Sequence, residues 1–118
     1  MLVIRKDQLK LLQAQRVSRF ETRVVTHVRE NFQHEADKLS DNQLLYQIRN
    51  LVPRAEKFGL HTERQITAFV DASYLLSDGF EDNQQYGDIV QMLSDADLTA
   101  DEKMTILIAV AYARTNNG

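Results

Sequence analysis

Apolar residues recur every three or four positions over most of this chain, which is the spacing of one face of an α-helix. Residues 7–32 follow this pattern and predict one long N-terminal helix of about seven turns. Its opposite side is polar and mainly basic, with Arg16, Arg19 and Arg23. The apolar positions are Leu9, Leu12, Phe20, Val24, Val28 and Phe32. The pattern therefore predicts a helix with one buried stripe and one exposed stripe.

Three further helix starts are marked by capping boxes. In a capping box a hydroxyl accepts from the amide three residues ahead, while the Glu or Gln at that position accepts from the amide of the cap residue. The boxes pair Ser40 with Gln43, Thr62 with Gln65, and Thr99 with Glu102. They predict helices that begin near residues 41, 63 and 100.

The helix that begins near residue 41 contains the only proline of the chain, Pro53. A proline inside a helix removes one backbone hydrogen bond and clashes with the preceding turn. We therefore expect either a kink or two short helices that meet near Val52. The segment continues to Phe58, and Gly59 suits the left-handed conformation that ends many helices.

The second half of the chain carries three more predicted elements. Residues 63–76 form an apolar stripe, residues 80–86 are predicted to be a loop, and residues 86–93 a short helix. The last helix is predicted over residues 100–114, where apolar side chains point in most directions, so we expect it to be buried among the others. The pattern as a whole predicts an all-α, single-domain bundle of about five helices over residues 1–118.

Charge is divided unevenly along the sequence. Residues 1–64 hold twelve Lys and Arg against eight Asp and Glu, a net charge of +4, while residues 65–118 hold two against nine, a net charge of −7. Such a chain neutralises itself on folding or presents faces of opposite sign to partners. The candidate partner-binding residues are the acidic Asp78, Glu81, Asp82, Asp88, Asp95 and Asp97 and the basic Arg16, Arg19 and Arg23.

Composition excludes several classes of site and partner. With no cysteine the chain has no disulfide, thiolate metal site or cysteine nucleophile. The overall charge of −3 argues against a nucleic-acid partner, because such binders carry net basic charge. The longest apolar run, residues 106–113, is far shorter than the roughly 20 residues that cross a bilayer. The first residues lack the features of a secretion signal, so we expect a cytoplasmic protein without a membrane partner.

Two acidic motifs overlap just before the last helix. Asp95, Asp97 and Thr99 match the D-x-D-x-T string of haloacid dehalogenase-like phosphatases, but that motif belongs at the end of an apolar strand in a large α/β domain. An EF-hand calcium loop over the same residues requires Gly and Glu where this chain has Ala100 and Ile106. We therefore interpret these carboxylates as flanking the start of a helix, where the helix dipole favours negative charge.

Histidine offers one candidate metal site. His27, Glu30 and His34 are spaced so that two imidazoles and a carboxylate share one side of a helix. No second helix carries the matching cluster that di-metal bundles use, so we expect an exposed polar helix end and no cofactor. The chain also has no Ser, His and Asp set with a recognisable elbow and no Gly-rich phosphate loop, so we expect no enzymatic activity. A small metal-binding or enzymatic protein remains the alternative.

Four blocks of the chain resemble a known group of proteins. They are RFETR at 19–23, VRENF at 28–32, AEKFGL at 55–60 followed by TER at 62–64, and LTADEKM at 98–104. These blocks resemble recurrent segments of small helical proteins encoded beside type VI secretion genes in Gram-negative bacteria. Relatives often have Pro and Trp in the loop that is EDNQQY here, at 81–86.

The resemblance implies an accessory role without catalytic residues. Such a protein is either an adaptor or chaperone that loads a secreted effector onto the secretion spike, or an immunity protein that blocks a toxic effector. We expect a non-enzymatic protein that occupies a partner's surface, with a basic toxin drawn to the acidic half. A self-associating subunit, joined through the Pro53 break and the 80–86 loop, is the other alternative, and the sequence leaves the oligomeric state open.

Overall fold

The structure is a computed structural model that describes the backbone of residues 17–117 and the side chains of residues 17–115. Every regular element in this range is helical, which confirms the predicted all-α class. The α-helices are α1 (Arg19–Asn31), α2 (Gln33–Ala36), α3 (Asp41–Glu56), α4 (Glu63–Leu75), α5 (Gly87–Leu93) and α6 (Ala100–Asn117). Two short 3₁₀ turns, Phe80–Asp82 and Gln84–Tyr86, lie between α4 and α5.

The chain forms two compact units, Met1–Asn50 and Leu51–Gly118, and their boundary falls inside α3. The first unit has nine Lys and Arg against six Asp and Glu, a net charge of +3. The second has five against eleven, a net charge of −6. The uneven charge of the sequence therefore follows the division into units, while the prediction of one domain over residues 1–118 stays a prediction.

Helix α1 begins later than the sequence pattern predicts. Ser18 has an extended backbone, and its hydroxyl accepts from the Glu21 amide at 3.1 Å while the Glu21 carboxylate accepts from the Ser18 amide at 3.0 Å. This capping box starts the helix at Arg19, because an extended residue cannot continue a helical hydrogen-bond ladder. The predicted continuous helix over residues 7–32 therefore differs from the structure at Ser18, and its portion at 7–16 lies outside the described residues.

The first unit buries apolar side chains from all three of its described helices. The valines of α1 and the leucines of α3 are almost fully inaccessible to solvent. The buried apolar residues described in this unit are Val24, Val25, Val28, Phe32, Ala36, Leu44, Leu45 and Ile48. Each large aliphatic side chain buried in this way contributes roughly 1.5–3 kcal/mol to the hydrophobic stabilisation.

Helix α3 runs unbroken through Pro53, so the alternative of two short helices is wrong. Proline has no amide to donate, so a single hydrogen bond is lost, and the Pro53 carbonyl accepts from the Lys57 amide at 3.2 Å just past the end of the helix. The helix ends at Glu56, and the turn after it leads to Gly59, whose positive φ of 84° is the predicted left-handed conformation. The amides of Gly59 and Leu60 donate to the carbonyls of Glu56 and Ala55, the pattern of a Schellman motif.

The core of the second unit is built around α4 and α6. These helices run in the same direction, because Gln65 donates to Asp101 at their starts and Thr115 donates to the Leu75 carbonyl at their ends. Phe69 of α4 and Phe80 of the first 3₁₀ turn are fully buried, with ring centroids 5.2 Å apart. The predicted loop at 80–86 is therefore anchored to the core by an aromatic side chain.

Helix α6 is buried on one side and open on the other. Leu107 and Ala111, four residues apart, are fully buried. Thr105, Ala109 and Tyr112 on the opposite side are exposed, with 45% of Tyr112 accessible. This differs from the predicted helix surrounded by its neighbours. Within residues 17–117, no helix combines the length and the apolar character needed to cross a membrane.

Candidate functional site

Most cations of the second unit are bound to the unit's own atoms. Arg54, near the end of α3, makes two hydrogen bonds to the Glu81 carboxylate, at 2.5 and 2.8 Å, and a third to Asp78 at 3.2 Å. The Glu81 side chain is only 8% exposed, whereas that of Asp78 is 84% exposed. Arg54 is therefore paired with one buried carboxylate and with one exposed carboxylate.

The protonation of this cluster is set by a balance of burial and hydrogen bonding. Burial is the largest single influence on Glu81 and opposes its ionisation. The hydrogen bonds from Arg54 and from the backbone, with the charges of Arg54 and Lys57, together outweigh burial, so the pKa of Glu81 is lowered. The bond to Glu81 in turn raises the pKa of Arg54. Both groups stay charged at neutral pH, which makes the cluster a fixed ion pair and not a proton donor or acceptor.

A second cation of this unit is bound near the start of α5. Arg114 of α6 donates to the Asp88 carboxylate, and its guanidinium carbon lies 5.6 Å from the centre of the Tyr86 ring. The Tyr86 hydroxyl donates to the Leu76 carbonyl at 3.4 Å. Ion pairing and cation–π attraction thus join α6 to the second 3₁₀ turn and to α5.

Lys103 is also bound internally. Its ammonium donates to the Phe58 carbonyl at 3.0 Å, close to the turn at Gly59. Together with Arg54 and Arg114, three of the five Lys and Arg residues of this unit are held by its own atoms. Their charges are therefore less available to a partner than those of freely moving side chains.

Three exposed carboxylates of the same unit lie on its connecting segments. Asp82 closes the first 3₁₀ turn, and Asp95 and Asp97 lie between α5 and α6. The Asp95 carboxylate accepts from the Asp97 amide at 2.9 Å, which shapes the turn. Within the described residues none of these three carboxylates forms an ion pair, so they leave negative charge on the surface.

The acidic residues predicted from sequence thus separate into two groups. Asp82, Asp95 and Asp97 are exposed. Glu81 is buried beneath Arg54, and Asp78 and Asp88 remain exposed while paired with arginines. Glu81 consequently has a structural role, and the other five can face a partner.

The basic candidates belong to the first unit. Arg19 and Arg23 are exposed on α1, while Arg16 lies outside the described residues. Two other arginines of this unit, which the sequence patterns did not single out, bind carboxylates. Arg49 bonds to Glu21 at 2.5 Å, and Arg29 bonds to Asp41 at 2.6 Å.

Arg29 also binds the backbone at the end of α2 and in the segment that follows it. Its guanidinium donates to the carbonyls of Ala36 and Leu39, at 3.1 and 3.0 Å, in addition to Asp41. A pairing between residues twelve positions apart has no local signal, because neither residue belongs to a capping box or to a helical i, i+4 pair. The sequence patterns therefore could not reveal it.

The histidine arrangement predicted from sequence does not form a metal site in the described part of the chain. Phe32, with φ −131° and ψ 52°, interrupts the helix between Glu30 and His34 and destroys their shared face. The Asn31 amide nitrogen lies 3.2 Å from Nδ1 of His27. Among residues 17–115, no three His, Cys, Asp or Glu side chains are grouped so that they could hold a metal ion.

The two features proposed for self-association both lie in the described part of the chain. Pro53 lies within one continuous helix, and both Phe80 and Tyr86 of the 80–86 segment are buried. Burial of these rings anchors the segment to the fold and leaves only its polar residues outside. The oligomeric state itself stays open.

Known proteins do not supply an assignment for this surface. No protein-family model, curated protein or solved structure matches the chain. Its interpretation therefore rests on the geometry and charge described above.

Proposed function

We propose that this chain is a non-enzymatic accessory protein of a bacterial type VI secretion and effector system, and that it acts in the cytoplasm by binding another protein. The partner is a secreted effector or a component of the secretion spike. Two roles fit this activity: an adaptor or chaperone that loads the effector, and an immunity protein that blocks it. The resemblance of the blocks at 19–23, 28–32, 55–60, 62–64 and 98–104 supports the secretion context.

The observation that supports the binding proposal is that the unit Leu51–Gly118 has an excess of carboxylates, while most of its cations are bound internally. Its net charge is −6, and Arg54, Lys103 and Arg114 are held by internal bonds. The exposed carboxylates on its connecting segments therefore generate a negative surface potential that the unit's own cations do not fully neutralise.

A surface of this kind favours a basic partner. Complementary charge accelerates the encounter of two proteins and aligns them, and it contributes more to association rate and selectivity than to affinity. An immunity protein benefits directly from fast association, because it must bind a toxin before the toxin acts. This reasoning supports a basic toxin as the partner of the acidic unit.

The direct test is co-purification of the full chain with each product of the neighbouring genes, combined with a toxicity assay. We expect one basic effector or spike protein to be retained. Rescue of cells from that effector assigns the immunity role, and binding without rescue assigns loading. Retention of none of the gene products, together with no rescue, contradicts the proposal.

A further inference from the structure

The exposed side of α6 is an apolar helical face. Thr105, Ala109, Tyr112 and Ala113 are exposed there, and Ile106 beside them is partly exposed. These five residues, called the α6 outer face below, lie opposite the buried Leu107 and Ala111. The ten residues from 104 to 113 include no charged side chain.

Such a face is unusual on a helix that has one buried side and one exposed side. An amphipathic helix ordinarily places charged and polar residues on its exposed side. Single exposed apolar residues need no explanation, whereas contiguous ones mark interaction surfaces. Tyrosine is also enriched at the centres of protein interfaces, because its ring is buried while its hydroxyl keeps a polar partner.

Negative charge lies at one end of this face only. Asp101 and Glu102, in the first turn of α6, are exposed, and the segment before them adds Asp95 and Asp97. Beyond residue 103 the one charged residue is Arg114, and it is bound to Asp88. The face therefore has an acidic end and a neutral end.

We infer that the α6 outer face docks an amphipathic helix of the protein partner, so this inference rests on the protein-binding function proposed above. The apolar side chains of that helix pack over Ala109, Tyr112 and Ile106, whose spacing matches a helical ridge and groove. Its Lys or Arg residues lie beside Asp101 and Glu102.

Charge also indicates the orientation of the docked helix. A helix with basic residues in its last turn would place them at the start of α6 only if the two helices are antiparallel. The dipoles of antiparallel neighbours attract each other, and cations are most stable near the C-terminus of their own helix. We therefore expect the partner helix to run antiparallel to α6, with its basic last turn at Asp101 and Glu102.

A second copy of α6 does not offer the basic residues that this face requires of its partner. Its exposed side carries the same two carboxylates at one end, and its single basic residue after Lys103 is already paired with Asp88. Pairing of two α6 outer faces would bring no cation to either acidic end. Charge complementarity thus favours a different, basic helix over self-association.

Synthetic helices of about 18 residues, labelled with a fluorophore, provide the probe. One peptide has leucines on one face and lysines on the other, with the lysines concentrated in the last turns. A second replaces every lysine with glutamate, and a third has the composition of the first in an order that destroys its apolar face. Fluorescence anisotropy with the full chain should show binding of the first peptide alone.

Matched variants locate the binding. Ala109→Glu and Tyr112→Ser alter exposed positions of α6, and Tyr46→Ser is the control because Tyr46 is 73% exposed on α3 of the other unit. We expect the two α6 variants to weaken binding of the lysine peptide about tenfold and the control to leave it unchanged. Circular dichroism and urea unfolding confirm that each variant is folded.

A second set of variants tests the charge. Asp101→Asn and Glu102→Gln keep the acceptors that bond to Gln65 and to the Thr99 amide, so they remove charge without removing those hydrogen bonds. We expect the double variant to lose most of the salt dependence of peptide binding. Equal binding of the lysine and glutamate peptides would contradict the assigned polarity.

Other outcomes overturn the inference. They are equal binding of the scrambled peptide, an effect of Tyr46→Ser as large as that of Tyr112→Ser, and a dimer in light scattering that Ala109→Glu dissociates. Failure here is distinguishable from failure of the proposed function. If a neighbouring gene product co-purifies as well with Ala109→Glu as with the unchanged protein, the proposed function stands and the α6 outer face is not the docking surface. If the lysine peptide binds but no gene product co-purifies, the docking surface stands and the proposed function fails.

Discussion

Arg54 shows how one side chain can determine the conformation of a connecting segment. It reaches from α3 to the 3₁₀ turn that follows α4 and binds Glu81 in a bidentate manner. Arg49 makes a similar bidentate bond to Glu21 in the other unit, but there the arginine is more exposed. The two pairs share their chemistry and differ in burial, so they separate the contribution of burial from that of charge pairing.

Replacement of Arg54 should therefore destabilise the protein more than replacement of Arg49. Arg54→Ala leaves the buried Glu81 carboxylate without its partner, at a cost of about 2–3 kcal/mol. Arg49→Ala breaks a more exposed pair, whose contribution to stability is smaller because solvent screens it. Urea unfolding of both variants measures the difference. Equal losses would show that the burial of Glu81 has no energetic consequence.

The lowered pKa of Glu81 predicts a dependence of stability on pH. A carboxyl whose pKa is lower in the folded than in the unfolded protein contributes stability above the unfolded pKa and loses it as pH falls through the folded pKa. We expect the free energy of unfolding to fall as pH drops below the ordinary Glu pKa of 4.5.

Glu81→Gln isolates the contribution of this carboxyl to the acid response. This variant should be less stable at pH 7 and should lose less stability on acidification than the unchanged protein. Unfolding curves at several pH values below 7 give both numbers. An identical pH dependence of the two proteins would assign the acid sensitivity to other carboxyls, such as Glu21, whose pKa is also lowered by its bond to Arg49.

At the scale of the elements, helix ends are defined by short-range chemistry. The boxes at Ser40, Thr62 and Thr99 all form, with the hydroxyl and the side chain three residues ahead exchanging hydrogen bonds with backbone amides. Gly59 ends α3 by a left-handed backbone, while Gly87 begins α5 with an ordinary helical one. The two glycines thus have opposite requirements.

Alanine substitution at these two glycines should have opposite effects. Gly59→Ala forces a side chain into the left-handed region and should destabilise the protein by about 1–2 kcal/mol. Gly87→Ala keeps a helical φ of −58°, meets no atom within 4 Å, and should stabilise the protein by about 0.4–1 kcal/mol. Thermal unfolding of both variants checks the signs. A neutral Gly59→Ala would contradict the backbone conformation described here.

At the scale of the whole molecule, the distribution of charge distinguishes the two units. Nine basic residues lie in Met1–Asn50 and eleven acidic ones in Leu51–Gly118. The exposed carboxylates Asp82, Asp95 and Asp97 belong to the acidic unit, and Glu30, Glu35 and Asp37 are exposed in the basic one. Neutralising either set changes the net charge by the same amount.

Association with the co-purified partner should respond only to the acidic unit. Asp82→Asn, Asp95→Asn and Asp97→Asn together should lower the association rate at low ionic strength roughly tenfold and reduce its salt dependence. The control is the triple variant Glu30→Gln, Glu35→Gln and Asp37→Asn, which should leave the rate nearly unchanged. Stopped-flow fluorescence measures both rates. Equal slowing by the two variants would mean that net charge alone, without a defined surface, governs the encounter.

The sequence by itself determined the helical class, three capped helix starts and the left-handed stop at Gly59. These features depend on residues within five positions of one another, so their signals are local. The box of Ser18 and Glu21 is equally local and could have been recognised. The regular apolar spacing over residues 7–32 concealed this helix start, because the hydrophobic periodicity continues across Ser18 although the helical backbone conformation does not.

Only the tertiary structure decided which side of each helix is covered and which charges are paired. Arg54 and Glu81 lie 27 positions apart in the sequence, and nothing near either residue indicates the other. Likewise, an apolar stretch such as residues 104–113 has no polar side to show its orientation, so only the packing of Leu107 and Ala111 leaves Tyr112 outside. Burial and pairing depend on which segments meet in space, and that is a property of the folded chain.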